Sequence, residues 1–399
     1  MYMKSLFFRF CLVACIPLFI VACLGSEKLS GNEFLIEGNI SGTEDGAVIM
    51  LFRNEDGFGT FLSQDTLKNG RFMFKKEAVS DLERMFIFCP SEGYPNESLS
   101  LWVTPGKKIK ISGKDKLLHL WEVKSAVPYQ KEENRYANKS RNIIKEMVKL
   151  NLEIYDLQTK AKTASSNDEA LAYRMAIDSL GVINTSLKIK EFLLYMDIMT
   201  EADISPVWFE KMSIITNRLR NSNNFDELRK KAEELYDKMS EKDKNTPEGY
   251  QITANLFPPL VVEVGDDMVD TDFFDISGNT KHLSNYSGKY LFLDFWSSGC
   301  GPCIMAFPEL KEIYETCSEN LTIISISFDT DAKWKAAVTE HDIPWVNIRD
   351  PKAWGGLAAN YGVNGIPFYV IISPEGKVVD KWFGFRNGYI KEKVNKNIK

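Results

Sequence analysis

The sequence predicts three regions: an antiparallel β-sandwich, a helical region and a C-terminal α/β domain. Short apolar runs with strand period, separated by turns, extend over residues 33–125. Helical spacing follows over residues 126–256, and strands then alternate with helices over residues 257–399. A chain of 399 residues with 44% hydrophobic content is large enough to form a separate core in each region.

The first 22 residues predict a lipoprotein signal peptide. Lys4 and Arg9 precede an apolar run over residues 10–22, which is too short for an ordinary membrane-spanning helix. The run ends in IVAC, which resembles a bacterial lipoprotein processing site with Cys23 as the point of lipid attachment. We therefore expect residues 23–32 to form a tether, and the chain to lie at the outer membrane of the cell envelope, facing the periplasm. An uncleaved anchor or an ordinary secretory signal is the alternative.

Charge and cysteine content narrow the possible functions. The net charge of −6 argues against nucleic acid as a partner, because phosphate binding needs a basic face. Three of the seven cysteines lie within the first 23 residues, which leaves Cys89, Cys300, Cys303 and Cys317 in a compartment where disulfides persist. Cys89 and Cys317 are isolated in the sequence and are predicted to be buried thiols, with a bridge between them as the alternative.

The region 33–125 contains six predicted strands, at 34–38, 47–52, 71–74, 84–88, 98–103 and 108–111. The dipeptides Asn69-Gly70 and Pro105-Gly106 mark turns between them. Short strands at this spacing predict a small antiparallel sandwich.

The region 126–256 is predicted to contain four or five helices. Apolar residues recur with steps of four and three along 143–157, as in an amphipathic helix. Ser166 with Glu169 predicts a capping box, and the pairs Ser205-Pro206 and Thr246-Pro247 predict helix starts.

The region 257–399 alternates between the two kinds of pattern, which implies a central sheet flanked by helices. Strands are predicted at 290–295, 321–328, 368–373 and 377–383, and helices at 302–317, 331–341 and 351–361. The turn sequence Pro374-Glu375-Gly376 predicts that the last two strands form an antiparallel hairpin.

The sequence WSSGCGPC at 296–303 carries the most specific chemical signal. A helix predicted to begin at Cys300 places this thiol where unpaired N–H groups and the helix dipole favour the thiolate. Cys303 lies three residues later on the same face, so the two sulfurs can close a small ring. The pattern alone leaves open a structural disulfide, half of a zinc site or a reactive pair. A zinc site needs three or four ligands, and so short a disulfide loop restrains little chain entropy, which disfavours the first two.

Several residues around this pair resemble the thioredoxin active site. Trp296, the CGPC sequence and Pro308 match its motif. Asp294, six residues before Cys300, coincides with the buried acid of thioredoxin, and Ile366-Pro367 resembles its cis-proline loop.

The hairpin-like segment 272–283 and an extra helix before Gly365 are similar to the TlpA/ResA branch of envelope thioredoxins. The regions before residue 257 resemble the longer lipoproteins of this kind, which carry an N-terminal β domain (DUF4369-like) and a helical insert. The resemblance implies a thioredoxin-like fold and a thiol-disulfide oxidoreductase of the protein disulfide reductase type.

The resemblance also assigns roles to the matching residues. Cys300 would be the exposed nucleophile and Cys303 the shielded thiol that resolves the mixed disulfide. Asp294 would have a raised pKa and would take the Cys303 proton. The groove for the substrate would be formed by Trp296, Gly301, Pro302, Ile366 and Pro367.

The resemblance implies partners but no cofactor and no metal. Proteins with disulfides would be the clients, the membrane would be reached through the lipid, and a membrane reductase of the DsbD kind would donate electrons. The Gly-Pro dipeptide between the cysteines is that of thioredoxin, a reducing protein, and favours a reductase or isomerase over an oxidant.

Three positions depart from the family pattern. Gly299 replaces an aromatic residue that often precedes the first cysteine. Ser325 stands where thioredoxin has a lysine beside its acid, and Ala306 where the ResA-like branch often has glutamate. Proton transfer is therefore expected to depend on Asp294 alone.

Two other functions stay open from the sequence. Residues 33–256 are a large region without recognisable chemistry, so the chain could be a lipoprotein that binds a ligand or client, with an incidental redox domain. A peroxiredoxin-like thiol peroxidase is disfavoured, because Ser297 replaces the threonine of that family and the CxxC spacing is retained.

Overall fold

A computed structural model describes residues 29–55, 58–95, 97–220 and 225–398 of the chain. The predicted signal peptide (1–22) and Cys23 lie outside these described residues. Within the described ranges, none of the helices combines the length and the apolar character needed to cross a membrane.

The N-terminal region folds into two four-stranded sheets. Its strands are β1 (Glu33–Ser41), β2 (Val48–Glu55), β3 (Phe58–Thr66), β4 (Arg71–Glu77), β5 (Glu83–Phe88), β6 (Ser98–Val103), β7 (Lys108–Lys114) and β8 (Glu122–Ser125). One sheet has the order β4-β1-β7-β8 and the other β3-β2-β5-β6, with a shared apolar core that includes Phe34, Leu51 and Trp121.

The predicted sandwich is confirmed, with two differences. The pair β1–β7 is parallel, whereas every other pair in the two sheets is antiparallel. Strands β3 and β8 were not predicted, because FGTFLSQDT and EVKS lack a clear alternation of apolar and polar residues.

The middle region is helical, as predicted. It contains α1 (Pro128–Lys162), α2 (Asn167–Glu201), α3 (Pro206–Arg220), α4 (Asp226–Asp237), the single turn α5 (Glu241–Lys244) and α6 (Pro247–Leu256).

The predicted helix starts are confirmed by their side-chain caps. Ser166 Oγ accepts a hydrogen bond from Glu169 N at 3.2 Å. Ser205 Oγ and Thr246 Oγ1 each accept a bond from the backbone N–H three residues later, at 3.0 Å in both cases. The carboxylate of Glu169 accepts from Ser165 N and not from Ser166, so the capping box is only half formed.

A buried ionic network connects the β-sandwich to the helices. Glu133 of α1 and Lys211 of α3 are paired at 2.5 Å, and Arg84 of β5 is paired with Glu210 of α3 at 2.5 Å. Trp102 of β6 belongs to the core of the helical region. The Arg84–Glu210 pair is the one that joins the sandwich to a helix, and losing one of its members would leave an uncompensated buried charge at this contact.

The C-terminal region is an α/β domain around one seven-stranded sheet of order β10-β9-β13-β12-β11-β14-β15. Its strands are β9 (Phe273–Asp275), β10 (Thr280–Lys281), β11 (Tyr290–Trp296), β12 (Leu321–Ser327), β13 (Val346–Arg349), β14 (Phe368–Ile372) and β15 (Val378–Phe383). Its helices are α7 (Gly301–Cys317), α8 (Asp331–Glu340), α9 (Leu357–Asn360) and α10 (Tyr389–Asn397). One apolar cluster includes Phe292 and Trp296, and another includes Leu293 and Phe295, as alternation along β11 requires for the two faces of a sheet.

The hairpin β9–β10 and the antiparallel pair β14–β15 agree with the sequence, but the helical stretch predicted around 351–361 is not one continuous helix. That segment forms a short 3₁₀ turn, Ala353–Gly355, followed by the four-residue α9. Two consecutive glycines, Gly355 and Gly356, disfavour a continuous helix. Strand β13, which has only four residues, and helix α10 were not predicted.

The helical region contacts the C-terminal domain through a close backbone approach. Helix α6 lies against the turn Ala353–Gly355, and a Cβ placed on Gly355 would lie 2.4 Å from the carbonyl oxygen of Tyr250. Lys352 Nζ lies 5.6 Å from the centre of the Tyr250 ring. Only glycine fits at position 355 without moving one of the two backbones.

Gly355→Ala should therefore loosen this contact. We expect the free energy of unfolding to fall by about 1–3 kcal/mol, the range for an overpacked site, in chemical denaturation followed by tryptophan fluorescence. Gly31→Ala is the control, because Gly31 lies outside the helices and strands and a Cβ there meets no atom within 4 Å. Equal stability of the two variants would show that α6 does not press on this turn.

Candidate active site

Cys300 and Cys303 form a disulfide at the start of α7. Cys300 is the N-cap residue, and its sulfur accepts a hydrogen bond from Cys303 N at 3.3 Å. Cys300 keeps 6% of its surface exposed and Cys303 keeps 1%. Cys300 is therefore the sulfur that a partner reaches more easily, although it is less exposed than the sequence suggested.

The surface around the disulfide belongs to the first turns of α7. Gly301 and Pro302 are exposed, and Met305 is 61% exposed one turn further along. The region next to the disulfide therefore offers a small, mostly apolar surface on which a partner chain can lie.

Trp296 does not lie on that surface. Its side chain is fully buried, and its ring packs edge to face against Phe307 with ring centres 5.2 Å apart. The structure thus places Trp296 in the core beneath the disulfide and not in the groove, because the last residue of β11 still points into the layer between sheet and helix.

The peptide bond between Ile366 and Pro367 is cis, as the resemblance implied. Phe368, the next residue, pairs with Phe295 of β11, so the loop lies beside the end of the strand that leads to the disulfide. Pro367 is buried and Ile366 half-buried, and Ile366 packs against the cluster that contains both cysteines. The structure therefore brings Ile366, Pro367, Cys300 and Cys303 into one site.

Asp294 is fully buried in β11, on the same face of the sheet as Phe292 and Trp296. Ser325 pairs with it in the neighbouring strand and donates a hydrogen bond to Asp294 Oδ2 at 2.7 Å. Burial raises the pKa of Asp294 to about 7, and the Ser325 hydroxyl lowers it only in part. The carboxyl therefore titrates near neutral pH, as a proton acceptor must.

A third residue, Trp345, completes this polar group and was not identified from the sequence. Its Nε1 donates a hydrogen bond to Ser325 Oγ at 2.8 Å. Because the indole occupies the serine oxygen as an acceptor, the serine proton is directed at Asp294. Nothing in the sequence around Trp345 indicates this contact, since it joins residues 20 positions apart.

Asp329 was also missed, and it holds the turn between β11 and α7. Its carboxylate accepts hydrogen bonds from Ser297 Oγ and Ser298 N, each at 2.7 Å. Ser327 Oγ donates to the same carboxylate at 3.1 Å. The position of Asp329 just after a parallel strand, on the side where β11 also ends, is the signal that could have revealed it.

Cys89 and Cys317 are both free and do not form the alternative bridge. Cys89 is buried in the sandwich core, as predicted, and burial raises the pKa of its thiol. Cys317 is half-buried at the end of α7, so the prediction of full burial is wrong there.

The raised pKa of Asp294 predicts a pH-dependent stability. Between about pH 4 and pH 7 the folded protein holds a proton that the unfolded chain has released. The free energy of unfolding should therefore fall as the pH rises through this window. A change in pKa from 3.8 to about 7 corresponds to roughly 4 kcal/mol.

Asp294→Asn should remove this dependence. Oxidised protein carrying the substitution should be more stable than the parent at pH 8, by up to roughly 4 kcal/mol, and similar to it at pH 4. Urea denaturation at the two pH values checks this, with exposed Asp237→Asn on α4 as the control. If the free energy of unfolding changes with pH equally in Asp294→Asn and in the parent, a group other than Asp294 is responsible for the pH dependence.

Comparison with known proteins identifies relatives of the C-terminal domain. Residues 264–381 match the model of the AhpC/TSA family. The thiol-disulfide oxidoreductase ResA of Bacillus thuringiensis subsp. konkukian is 30% identical over 122 residues, covering 30% of this chain and 69% of that protein. ResA of Geobacillus thermodenitrificans is 39% identical over 135 residues, covering 33% of this chain and 75% of that protein.

A solved structure with similarity to this chain is the thioredoxin domain of a thiol-disulfide oxidoreductase from Bacteroides vulgatus. It is 28% identical, with a TM-score of 0.33, and the alignment covers 35% of this chain and 99% of that one.

The C-terminal domain is thus a thioredoxin-like domain of the thiol-disulfide oxidoreductase class. Through this domain the chain belongs to the ResA family of thiol-disulfide oxidoreductases.

Proposed function

We propose that the protein is an envelope lipoprotein that reduces or isomerises disulfides of other proteins. One observation carries the proposal: a disulfide caps a helix beside the cis-proline loop, in the same layer as a buried carboxyl with a pKa of about 7. A structural disulfide has no need of an acid that titrates near neutral pH.

The reaction begins from the reduced pair. The Cys300 thiolate attacks one sulfur of a client disulfide, forms a mixed disulfide and releases the other client sulfur as a thiolate. Two features favour this thiolate: its place at the helix N-terminus and the hydrogen bond from Cys303 N to its sulfur.

Cys303 then completes the exchange. Its proton passes to Asp294, directly or through water, and its thiolate attacks the Cys300 sulfur. The Cys300–Cys303 disulfide forms, and the second client thiol leaves. Two electrons have moved from the enzyme to the client, and two protons accompany the released thiols.

The cycle needs a dithiol donor to reduce the enzyme again. A membrane reductase of the DsbD kind would fit this requirement. The predicted signal peptide, with Cys23 as the predicted point of lipid attachment, supports a position at the outer membrane facing the periplasm.

Serine substitutions test the proposed roles. The purified protein should reduce insulin in the presence of a dithiol, and both Cys300→Ser and Cys303→Ser should lose at least about 99% of this activity, because neither thiol can complete the cycle alone. Cys303→Ser alone should accumulate mixed disulfides with clients. Activity that survives both substitutions together would contradict the proposal.

Cys89→Ser and Cys317→Ser serve as controls and should keep full activity, since both thiols are free and lie outside the site. Consumption of hydrogen peroxide at a rate above that of insulin reduction would favour the peroxidase alternative.

The direction of electron flow is tested by the reduction potential. The Gly-Pro dipeptide predicts a value nearer to the roughly −270 mV of thioredoxin than to the roughly −120 mV of a strong periplasmic oxidant. Equilibration with glutathione or dithiothreitol buffers measures it. A reduction potential close to that of the strong oxidant would instead indicate that the protein oxidises the thiols of its clients.

A further inference from the structure

A large cleft lies beside the cis-proline loop, between the three regions of the chain. Its volume is about 1030 Å³, and Gly365 and Ile366 form part of its wall. Cavities that bind drug-sized ligands span about 300–1,000 Å³, so this one is large for a small molecule.

The wall from the C-terminal domain is aromatic. Phe328 and Trp354 are stacked with ring centres 4.1 Å apart, and both line the cleft. Phe383 is 66% exposed, and its ring lies close enough to Gly365 that a Cβ there would meet it at 2.8 Å. These rings therefore continue the apolar surface from Ile366 into the cleft.

The opposite wall comes from the helical region and the sandwich. Phe209 and Glu210 of α3 and Glu248 of α6 contribute, together with Arg84 of β5 and Asp243 of α5. The close approach of Gly355 to the Tyr250 backbone brings α6 against the C-terminal domain, so the two walls are in contact beside the cleft.

The charged groups of the lining are predominantly acidic. Arg84 is already paired with Glu210 Oε1 at 2.5 Å, and Asp243 accepts hydrogen bonds from Ser240 within its own helix cap. Glu248 is exposed. Among the described residues, Glu210 Oε2 is buried without a hydrogen-bond partner.

Burial raises the pKa of Glu210, whereas Lys211, at 3.5 Å from Glu210 Oε1, and Arg84 already lower it. The exposed Glu248 is therefore the acid that a further cation can reach. A guanidinium group suits this lining best, since it pairs with carboxylates and also stacks on aromatic rings.

We infer that this cleft binds the segment of a client that flanks its disulfide-bonded cysteine, and selects an extended segment with apolar side chains and a basic one. The inference rests on the proposed function, because the cleft leads to Ile366 and thus to the disulfide. Position favours a protein segment over a free small ligand, because Ile366 lines the cleft and also packs against the apolar cluster that includes Cys300.

The inference gives the regions before residue 257 a role in recognition. The C-terminal domain supplies the chemistry and one wall, and α3, α6 and the sandwich supply the other wall. A thioredoxin-like domain alone would contact the client cysteine but would not distinguish the charges of the client residues next to that cysteine.

Two synthetic peptides test the inference. Each has ten residues with one cysteine, joined to thionitrobenzoate as a mixed disulfide, and the two differ only in Arg or Glu three residues from the cysteine. The cysteine–thionitrobenzoate disulfide without a peptide is the reference. The reduced full-length protein attacks the cysteine sulfur and releases the coloured thionitrobenzoate anion, which gives the rate.

We expect the Arg peptide to react about two- to fivefold faster than the Glu peptide, as one exposed charge pair allows. In Glu248→Gln this ratio should fall towards one, while the rate with the reference disulfide stays unchanged. Phe383→Ser should slow both peptides equally relative to the reference. Glu234→Gln, an exposed acid on α4 outside the cleft, should keep the parent ratio.

The outcomes separate this inference from the proposed function. No reaction with any of the three disulfides would overturn the proposed function itself. Reaction with the reference, but equal rates for the two peptides, would overturn the cleft inference alone. A preference that persists unchanged in Glu248→Gln, or peptide rates that Phe383→Ser does not lower relative to the reference, would also overturn it, because recognition would then lie elsewhere.

Discussion

The hydrogen bonds that Asp329 accepts set the geometry of the whole site. Strand β11 ends at Trp296 and α7 begins at Gly301, so only four residues connect a sheet to a helix that must present two sulfurs. Asp329 holds Ser297 and Ser298 from the end of the neighbouring strand, and this fixes where Cys300 stands relative to the sheet. The N-terminus of α7, the disulfide and the cis-proline loop follow from that position.

Below the disulfide, the polar groups are few and connected. Trp345 donates to Ser325, and Ser325 donates to Asp294. A lysine at position 325 would give Asp294 a cationic neighbour, which favours the ionised carboxylate, whereas a neutral serine leaves burial as the dominant effect on its pKa. Serine in place of lysine at position 325 therefore allows the pKa of Asp294 to lie near neutral pH without a charged partner.

The sequence was sufficient for most of the architecture, and the reasons for its failures are physical. Caps such as Ser205 and Thr246 act locally, so a pattern of a few residues identifies them. The cysteines, Asp294 and Ile366-Pro367 were found because a known family has the same residues at the same spacing. Trp345 and Asp329 act across strands, through contacts that depend on the order and register of the sheet, and no local pattern reveals them. The parallel pair β1–β7 escaped prediction for the same reason, since its partners lie more than 70 residues apart.

Ile366 packs against the apolar clusters of both faces of the sheet and also lines the cleft. Protein interiors are close-packed and yield little to local pressure. The cleft surface formed by Ile366 is thus rigid, because the two apolar layers that Ile366 contacts cannot separate without exposing apolar surface to water. A polypeptide bound at Ile366 therefore has to adapt its own conformation to this surface. Chains that are unfolded or loosely folded can do so with the least loss of their own structure.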